Sequence, residues 1–246
     1  MDVKATWDNE DWMLNAKHIL HWSASVEQDK PMMLLVRHSH REILRDHTEM
    51  VSAGLTHLGK ELAIEVGKRI PAGRPMHLFT SFIPRCFETA EGIAEGFSEM
   101  GGEVIDIDPL PTLVGPHVLE QDVWKELHPN GENVTEFVNR WVGGEFDGRM
   151  EPFEDYEVRL TDDTVKRLTA VQENIIHVHV THDLALMSAK RMILGRVLTR
   201  DDREPYLGGL GATIVDSGLQ LFIASMNSTI SICDSMDSST KKSNNS

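Results

Sequence analysis

Cysteine is nearly absent: two residues, Cys86 and Cys233, in a chain of 246. They stand far apart and form no Cys-x-x-Cys or zinc-type spacing, which excludes a disulfide scaffold and a thiolate zinc site. That usage leads us to expect a reduced, cytoplasmic protein. Basic residues are also few, 24 Lys and Arg against 39 Asp and Glu, for a formal net charge of −15. Coating duplex nucleic acid or an anionic membrane needs clustered cations, so neither partner is expected. No apolar run reaches the length of a spanning helix. The acidic opening MDVKATWDNEDW has no basic segment followed by an apolar stretch, so it does not read as a secretory signal.

What remains is an ordinary globular composition, 40% hydrophobic and 26% charged. The length suits one large domain or one with an inserted cap. Twelve histidines are the surplus. Histidine titrates near neutrality, so the surplus points to chemistry without locating it.

Hydrophobic periodicity orders the chain. Residues 8–21 suit a short amphipathic helix with Trp12, Ala16 and Ile19 on one side. Met32 to Val36 is a continuous apolar run, as in a strand buried on both faces. Leu58, Leu62 and Val66 recur at helical spacing after Thr56, a favoured N-cap type. Met76 to Thr80 reads as a second strand, followed by a helix opening on Pro84. Val104 to Ile107 reads as a third. Residues 109–153 are rich in Pro, Gly and acids, an excursion over the sheet. Glu154 to Gln172 suits a helix, Ile175 to Val180 a strand, and Asp183 to Leu194 a helix closed by Gly195. Ala212–Val215 and Leu219–Ala224 flank Asp216-Ser217-Gly218 as a hairpin. The tail from 227 to 246 is rich in Ser, Asn and Lys and is expected to be disordered. The expected fold is a single α/β domain over 1–226. It is a three-layer sandwich, with a mostly parallel central sheet, helices on both faces and a C-terminal antiparallel hairpin.

Three polar groups fall just past the carboxyl ends of three of these strands: Arg37 to Arg41, Ser81 to Arg85, and Thr181-His182-Asp183. The ligand crevice of an open α/β sheet lies at that edge. Arg37, His38, Arg41, Arg85, His182 and Asp183 can therefore meet in one pocket. Guanidiniums present rigid donor forks that match phosphate oxygens. Positive charge beside a histidine keeps its imidazole neutral and nucleophilic.

LLVRHSHRE resembles the Arg-His-Gly-x-Arg signature of the histidine phosphatase superfamily, which includes the cofactor-dependent phosphoglycerate mutases. LTHLGKELA is similar to the helix that follows it. FTSFIPRCFETAEGI is similar to the second arginine segment, and VTHDLAL to the second histidine segment. The resemblance runs from about 32 to 225. It implies that His38 is the nucleophile that becomes phosphohistidine, and that Arg37, Arg41, Arg85 and His182 hold the phosphoryl oxygens. It also implies that Asp183 protonates the leaving alcohol. The mutase-type donor glutamate would lie in the middle segment, where Glu120 is the candidate. Two positions depart from the pattern. Ser39 replaces a glycine and is expected to alter the loop slightly, and Glu42-Ile43 stands where a proline is frequent.

The expected activity is metal-independent, cofactor-free hydrolysis of a small phosphorylated metabolite; mutase-like phosphoryl transfer is the alternative. His177-x-His179-x-Thr181-His182-Asp183 also approaches the metal-binding pattern of metallo-β-lactamase-like hydrolases, with Thr181 where a carboxylate belongs. A non-catalytic phosphate-ligand binder on the same fold is the remaining reading. Residues 99–160 carry 15 acids and 4 bases, so the acidity is concentrated away from the arginine-bearing motifs. Specificity is expected from residues 109–160 and the loops near His40 and Phe82.

Overall fold

A seven-stranded sheet orders the chain, in the sequence β3-β2-β4-β1-β5-β6-β7. The computed structural model describes residues 2–170, 174–216 and 218–233. In chain order the elements are α1 (Val3–Asn9), α2 (Leu14–Ser25), β1 (Met32–Arg37), α3 (His57–Arg69), β2 (Met76–Thr80), α4 (Pro84–Glu99) and β3 (Val104–Pro109). Then come α5 (Val134–Val142), α6 (Phe153–Asp163), α7 (Val165–Ala170), β4 (Ile176–Thr181) and α8 (Asp183–Leu194). The last strands are β5 (Gly209–Val215), β6 (Gly218–Ile223) and β7 (Ser228–Cys233). β1, β2, β3 and β4 pair in parallel, while β5, β6 and β7 run antiparallel.

Alternation along the strands divides two cores. Met32, Leu34 and Val36 of β1 join Ile176, Val178 and Val180 of β4 under α2, α3 and α4. Met33 and Leu35 point the other way and join Phe79, α8 and the excursion. Every residue of β1 and of β4 is buried, as a strand covered on both faces requires. Val123, Leu127, Phe137, Trp141 and Phe146 of the excursion belong to that second core. The excursion therefore packs on the sheet face and closes over the strand ends.

The sequence reading is corrected in three places. The first helix is two helices, interrupted by a 3-10 turn at Asp11–Met13 that turns Met13 fully inward. The helix expected over 154–172 breaks at Thr164, whose hydroxyl donates to Leu160 O at 2.6 Å; residues 171–173 lie outside the described residues. The tail does not begin disordered at 227. Ser228–Cys233 forms edge strand β7, with Ile230 opposite Leu221 and packed against the core. One inward side chain on an edge strand is enough to dock it and too little to give a visible alternation. Residues 234–246 lie outside the described residues.

Candidate active site

Strand order places the three motifs side by side. β4 lies between β1 and β2, and Arg37 pairs with Thr181. The backbone pairing continues past the strands: His38 N donates to Thr181 O at 2.9 Å, and Ser81 N donates to Val180 O at 3.2 Å. His38 and His182 then face each other with ring centroids 5.6 Å apart.

His38 is buried, and its Nδ1 lies 2.8 Å from Ser39 O. A carbonyl only accepts, so Nδ1 carries the hydrogen and the Nε2 lone pair is free. The ring lines a pocket of about 370 Å3. Burial foremost, then Arg85, Arg37 and His182, holds its pKa well below the usual histidine range; the Ser39 carbonyl offsets this in part. The imidazole is thus neutral at neutral pH, with a nucleophilic nitrogen.

The loop that carries His38 is fixed from beneath. Ser39 N donates to Thr89 Oγ1 at 2.9 Å and Ser39 Oγ donates to Gly59 O at 2.7 Å. Ser39 does not adopt a positive φ, so this backbone does not need glycine there, and the hydroxyl adds a tether. A glycine is required at Gly59, where a Cβ would come within 2.0 Å of His40 O.

Three arginines surround the histidines, all nearly inaccessible to solvent. Arg37 Nη1 donates to Glu204 O at 3.1 Å, its Nη2 pairs with Asp183 Oδ2 at 3.0 Å, and its guanidinium lies over the Tyr206 ring. Arg41 Nη1 donates to Asn130 Oδ1 at 2.9 Å and to Glu42 O at 2.8 Å. Arg85 Nη2 lies 3.0 Å from His182 Nδ1, and its Nη1 donates to Met50 O at 2.5 Å. Burial, foremost, lowers the Arg85 pKa to about 10, which leaves the guanidinium charged at neutral pH. Nε of all three arginines is buried without a hydrogen-bond acceptor. Nε of Arg74, Arg191 and Arg203 is in the same state, so it does not by itself mark a ligand.

His182 caps α8 with both ring nitrogens engaged. A guanidinium only donates, so His182 Nδ1 accepts from Arg85, and Nε2–H donates to Ser81 Oγ at 2.9 Å. Burial and Arg85 lower its pKa well below normal. Its single N–H is therefore spent on Ser81.

Asp183 opens α8 beneath the pocket. Its Oδ2 is shared by Arg37 and by Arg203 Nη2 at 3.2 Å. Burial raises its pKa, but the two guanidiniums outweigh it and hold the carboxyl below its usual range. Glu120 is not brought to the site: it is exposed, paired with Arg149 at 3.2 Å, and does not line the pocket. Phe82 is exposed and His40 Nδ1 bonds Thr56 Oγ1 at 2.8 Å; neither lines the pocket. His177 and His179 are buried on β4 beside Phe79, stacked 4.9 Å from His179, and are likewise absent from the pocket wall. Among the described residues, no group of three or more His, Cys, Asp or Glu is arranged to hold a metal. No helix among them is long and apolar enough to cross a membrane.

Sequence reasoning missed Asn130, Arg203, Glu204 and Tyr206. Asn130 clasps the excursion to the first motif: Oδ1 accepts from Leu44 N at 2.8 Å as well as from Arg41, and Nδ2 donates to Leu44 O at 3.0 Å. Its backbone oxygen accepts from Arg203 at 2.6 Å. The Asn130-Gly131 pair was the available signal, a turn dipeptide with its own backbone requirement; Arg203 and Tyr206 left none.

The model of the histidine phosphatase superfamily (branch 1) matches residues 33–205. Among curated proteins, none matches the sequence closely enough to count as a relative. Among solved structures, Bacillus stearothermophilus YhfR is similar at 20% identity and a TM-score of 0.54, over 78% of this chain and 96% of that one. The phosphoglycerate mutase from Bacillus anthracis str. Sterne is similar at 13% identity and a TM-score of 0.55, over 80% of this chain and 94% of that one. At these identities the likeness is one of fold.

Proposed function

For a chain that belongs to the histidine phosphatase superfamily (branch 1), we propose hydrolysis of a small-molecule phosphomonoester through a phosphohistidine formed on His38, without metal or cofactor, in the cytoplasm. The observation that carries this reading is the Nδ1–H bond from His38 to Ser39 O. It leaves the Nε2 lone pair in a pocket that Arg41 and Arg85 line together with His38; Arg37, expected in the same pocket, does not line it and is paired with Asp183 instead.

In the first step the Nε2 lone pair forms a bond to phosphorus as the ester P–O bond breaks. Arg37, Arg41, Arg85 and His182 take up charge on the phosphoryl oxygens. The electron pair of the broken bond goes to the alcohol oxygen, which Asp183 protonates. The substrate dianion competes for Arg37 and sits beside the carboxyl; both effects raise the proton affinity of Asp183, which takes up a proton from solvent as substrate binds. In the second step water attacks phosphorus, its proton returns to the Asp183 carboxylate, and the P–N bond electrons return to Nε2. One hard displacement becomes two easier ones.

The test is inorganic phosphate release from benzyl phosphate by the wild type and by His38→Ala. We expect a loss of about 10³-fold or more, with native circular dichroism. Hydrolysis by His38→Ala within about tenfold of wild type would exclude His38 as nucleophile. Appearance of the phosphoryl group on an added alcohol in place of phosphate would assign mutase-like transfer instead.

A further inference from the structure

The pocket over His38 holds about 370 Å3, at the small end of the range of about 300–1,000 Å3 that takes up organic ligands. It has room for a phosphoryl group and one small body. Beyond the charged end its wall changes character: Met50, Ile83, Val114, Trp124, Leu127 and Leu184 line it. They come from four separate parts of the chain, namely the loop after the first motif, the turn into α4, the excursion and α8. Polar wall residues such as Lys125 and His128 are exposed, and Nε2 of His47 is spent on Leu127 O at 2.9 Å.

Trp124 stands apart from the other tryptophans. The chain has five, and four have a flat partner. Trp7 lies under the Arg69 guanidinium. Trp12 meets His40 and Tyr206, Trp22 stacks on Phe222, and Trp141 meets Phe153. Trp124 is half-buried with one side on the core. No ring or guanidinium faces it among the described residues, and it lines the pocket. An unpartnered indole beside Met50, Val114, Leu127 and Leu184 in the cavity wall is a stacking platform for a planar group.

We infer that the alcohol part of the ester is planar and apolar, an aryl or arylalkyl group seated against Trp124, which makes Trp124 a specificity-determining residue. This rests on the phosphomonoester reading of the same site. A polar body set against Trp124, Met50, Val114 and Leu184 would find no partner in those four residues, at a cost in affinity, and would have to reach the exposed Gln121, Lys125 or His128 of the same wall.

Calorimetric binding of benzylphosphonate and methylphosphonate to the full chain tests this, because neither carbon–phosphorus bond is an ester bond for the site to cleave. We expect benzylphosphonate to bind at least about tenfold more tightly to the wild type. Trp124→Ala and Trp124→Leu should bring the two affinities within about threefold, and Trp124→Phe should keep most of the preference. The leucine variant fills the wall without a flat face, so it separates stacking from mere packing. Equal affinities in the wild type, no binding of either phosphonate, or a preference that survives in a folded Trp124→Leu would overturn the inference. Failure of the hydrolytic reading shows elsewhere, as absent turnover of benzyl phosphate, and leaves the phosphonate comparison readable.

Discussion

Arg37 Nη2 lies 3.0 Å from Asp183 Oδ2, so a group assigned to phosphate and a group assigned to proton donation are each other's partner. The pair keeps Asp183 ionised while no dianion competes for Arg37. In the proposed mechanism this couples proton donation to substrate binding. Asp183→Asn should slow benzyl phosphate, whose alkoxide needs a proton, by about 10²-fold or more, within the range for general acid catalysis. It should slow p-nitrophenyl phosphate, whose phenolate leaves unaided, by less than about tenfold. Equal slowing of the two esters, measured as kcat/KM so that the dephosphorylation step common to both does not enter, would remove the donor role from Asp183.

Gly131 presses on the same carboxylate. Its φ is +71°, and a Cβ there would lie 2.1 Å from Asp183 Oδ2. Gly131→Ala adds left-handed strain of about 1–3 kcal/mol and pushes the excursion off Asp183. We expect kcat/KM for benzyl phosphate to fall about tenfold or more while far-ultraviolet circular dichroism is unchanged. Full activity in this variant would show that the contact does not position the acid.

Lys190 and Glu204 form a wholly buried ion pair, Nζ to Oε1 at 2.9 Å. The backbone oxygen of Glu204 accepts from Arg37, so the pair anchors the segment that cradles that guanidinium. Lys190→Met leaves the Glu204 carboxylate buried without its cation, which costs about 3–5 kcal/mol. Urea denaturation should show that loss, and the folded fraction should show a raised KM. A loss under about 1 kcal/mol would mean the carboxylate finds another partner.

The histidines of β4 are expected to contribute to a loss of stability in acid, alongside His38 and His182, whose pKa burial lowers too. Burial, foremost, with His77 and Arg167 brings His177 down to about 4. Burial, His177 and Arg167 hold His179 well below its usual value, the Asp163 backbone offsetting part. Above pH 6.5 neither the folded nor the unfolded chain protonates them. As pH falls below 6.5 the unfolded chain binds protons that the folded chain refuses, so stability falls, by at most about 1.4 kcal/mol per pH unit for each histidine. His179→Phe should flatten the decline between pH 6.5 and about 5 in urea titrations. An unchanged slope would assign the decline to other groups.

The fold was legible where burial is two-sided or strongly periodic. β1 reads directly from MMLLV because both faces are covered, and α3 from Thr56, whose Oγ1 accepts from Gly59 N at 3.0 Å. The convergence of His38, Arg41, Arg85, His182 and Asp183 on one pocket follows from strand ends, which local patterns locate well. β7 was not legible, because an edge strand with Ile230 as its inward anchor carries almost no periodicity. The side on which Glu120 lies was hidden too, since Arg149 holds it outward through a contact between distant positions. The clasp made by Asn130 and Arg203 is of the same kind: it joins segments some 70 to 90 residues apart, and no local pattern records it.

The central claim is a covalent bond between phosphorus and Nε2 of His38. Rapid mixing with radiolabelled benzyl phosphate, alkaline quench and peptide mass spectrometry measure it directly. The account predicts acid-labile, base-stable label on the peptide that contains His38, formed no more slowly than turnover and absent from His38→Ala. Label on another residue, or full turnover with no phosphoenzyme at any quench time, would contradict it.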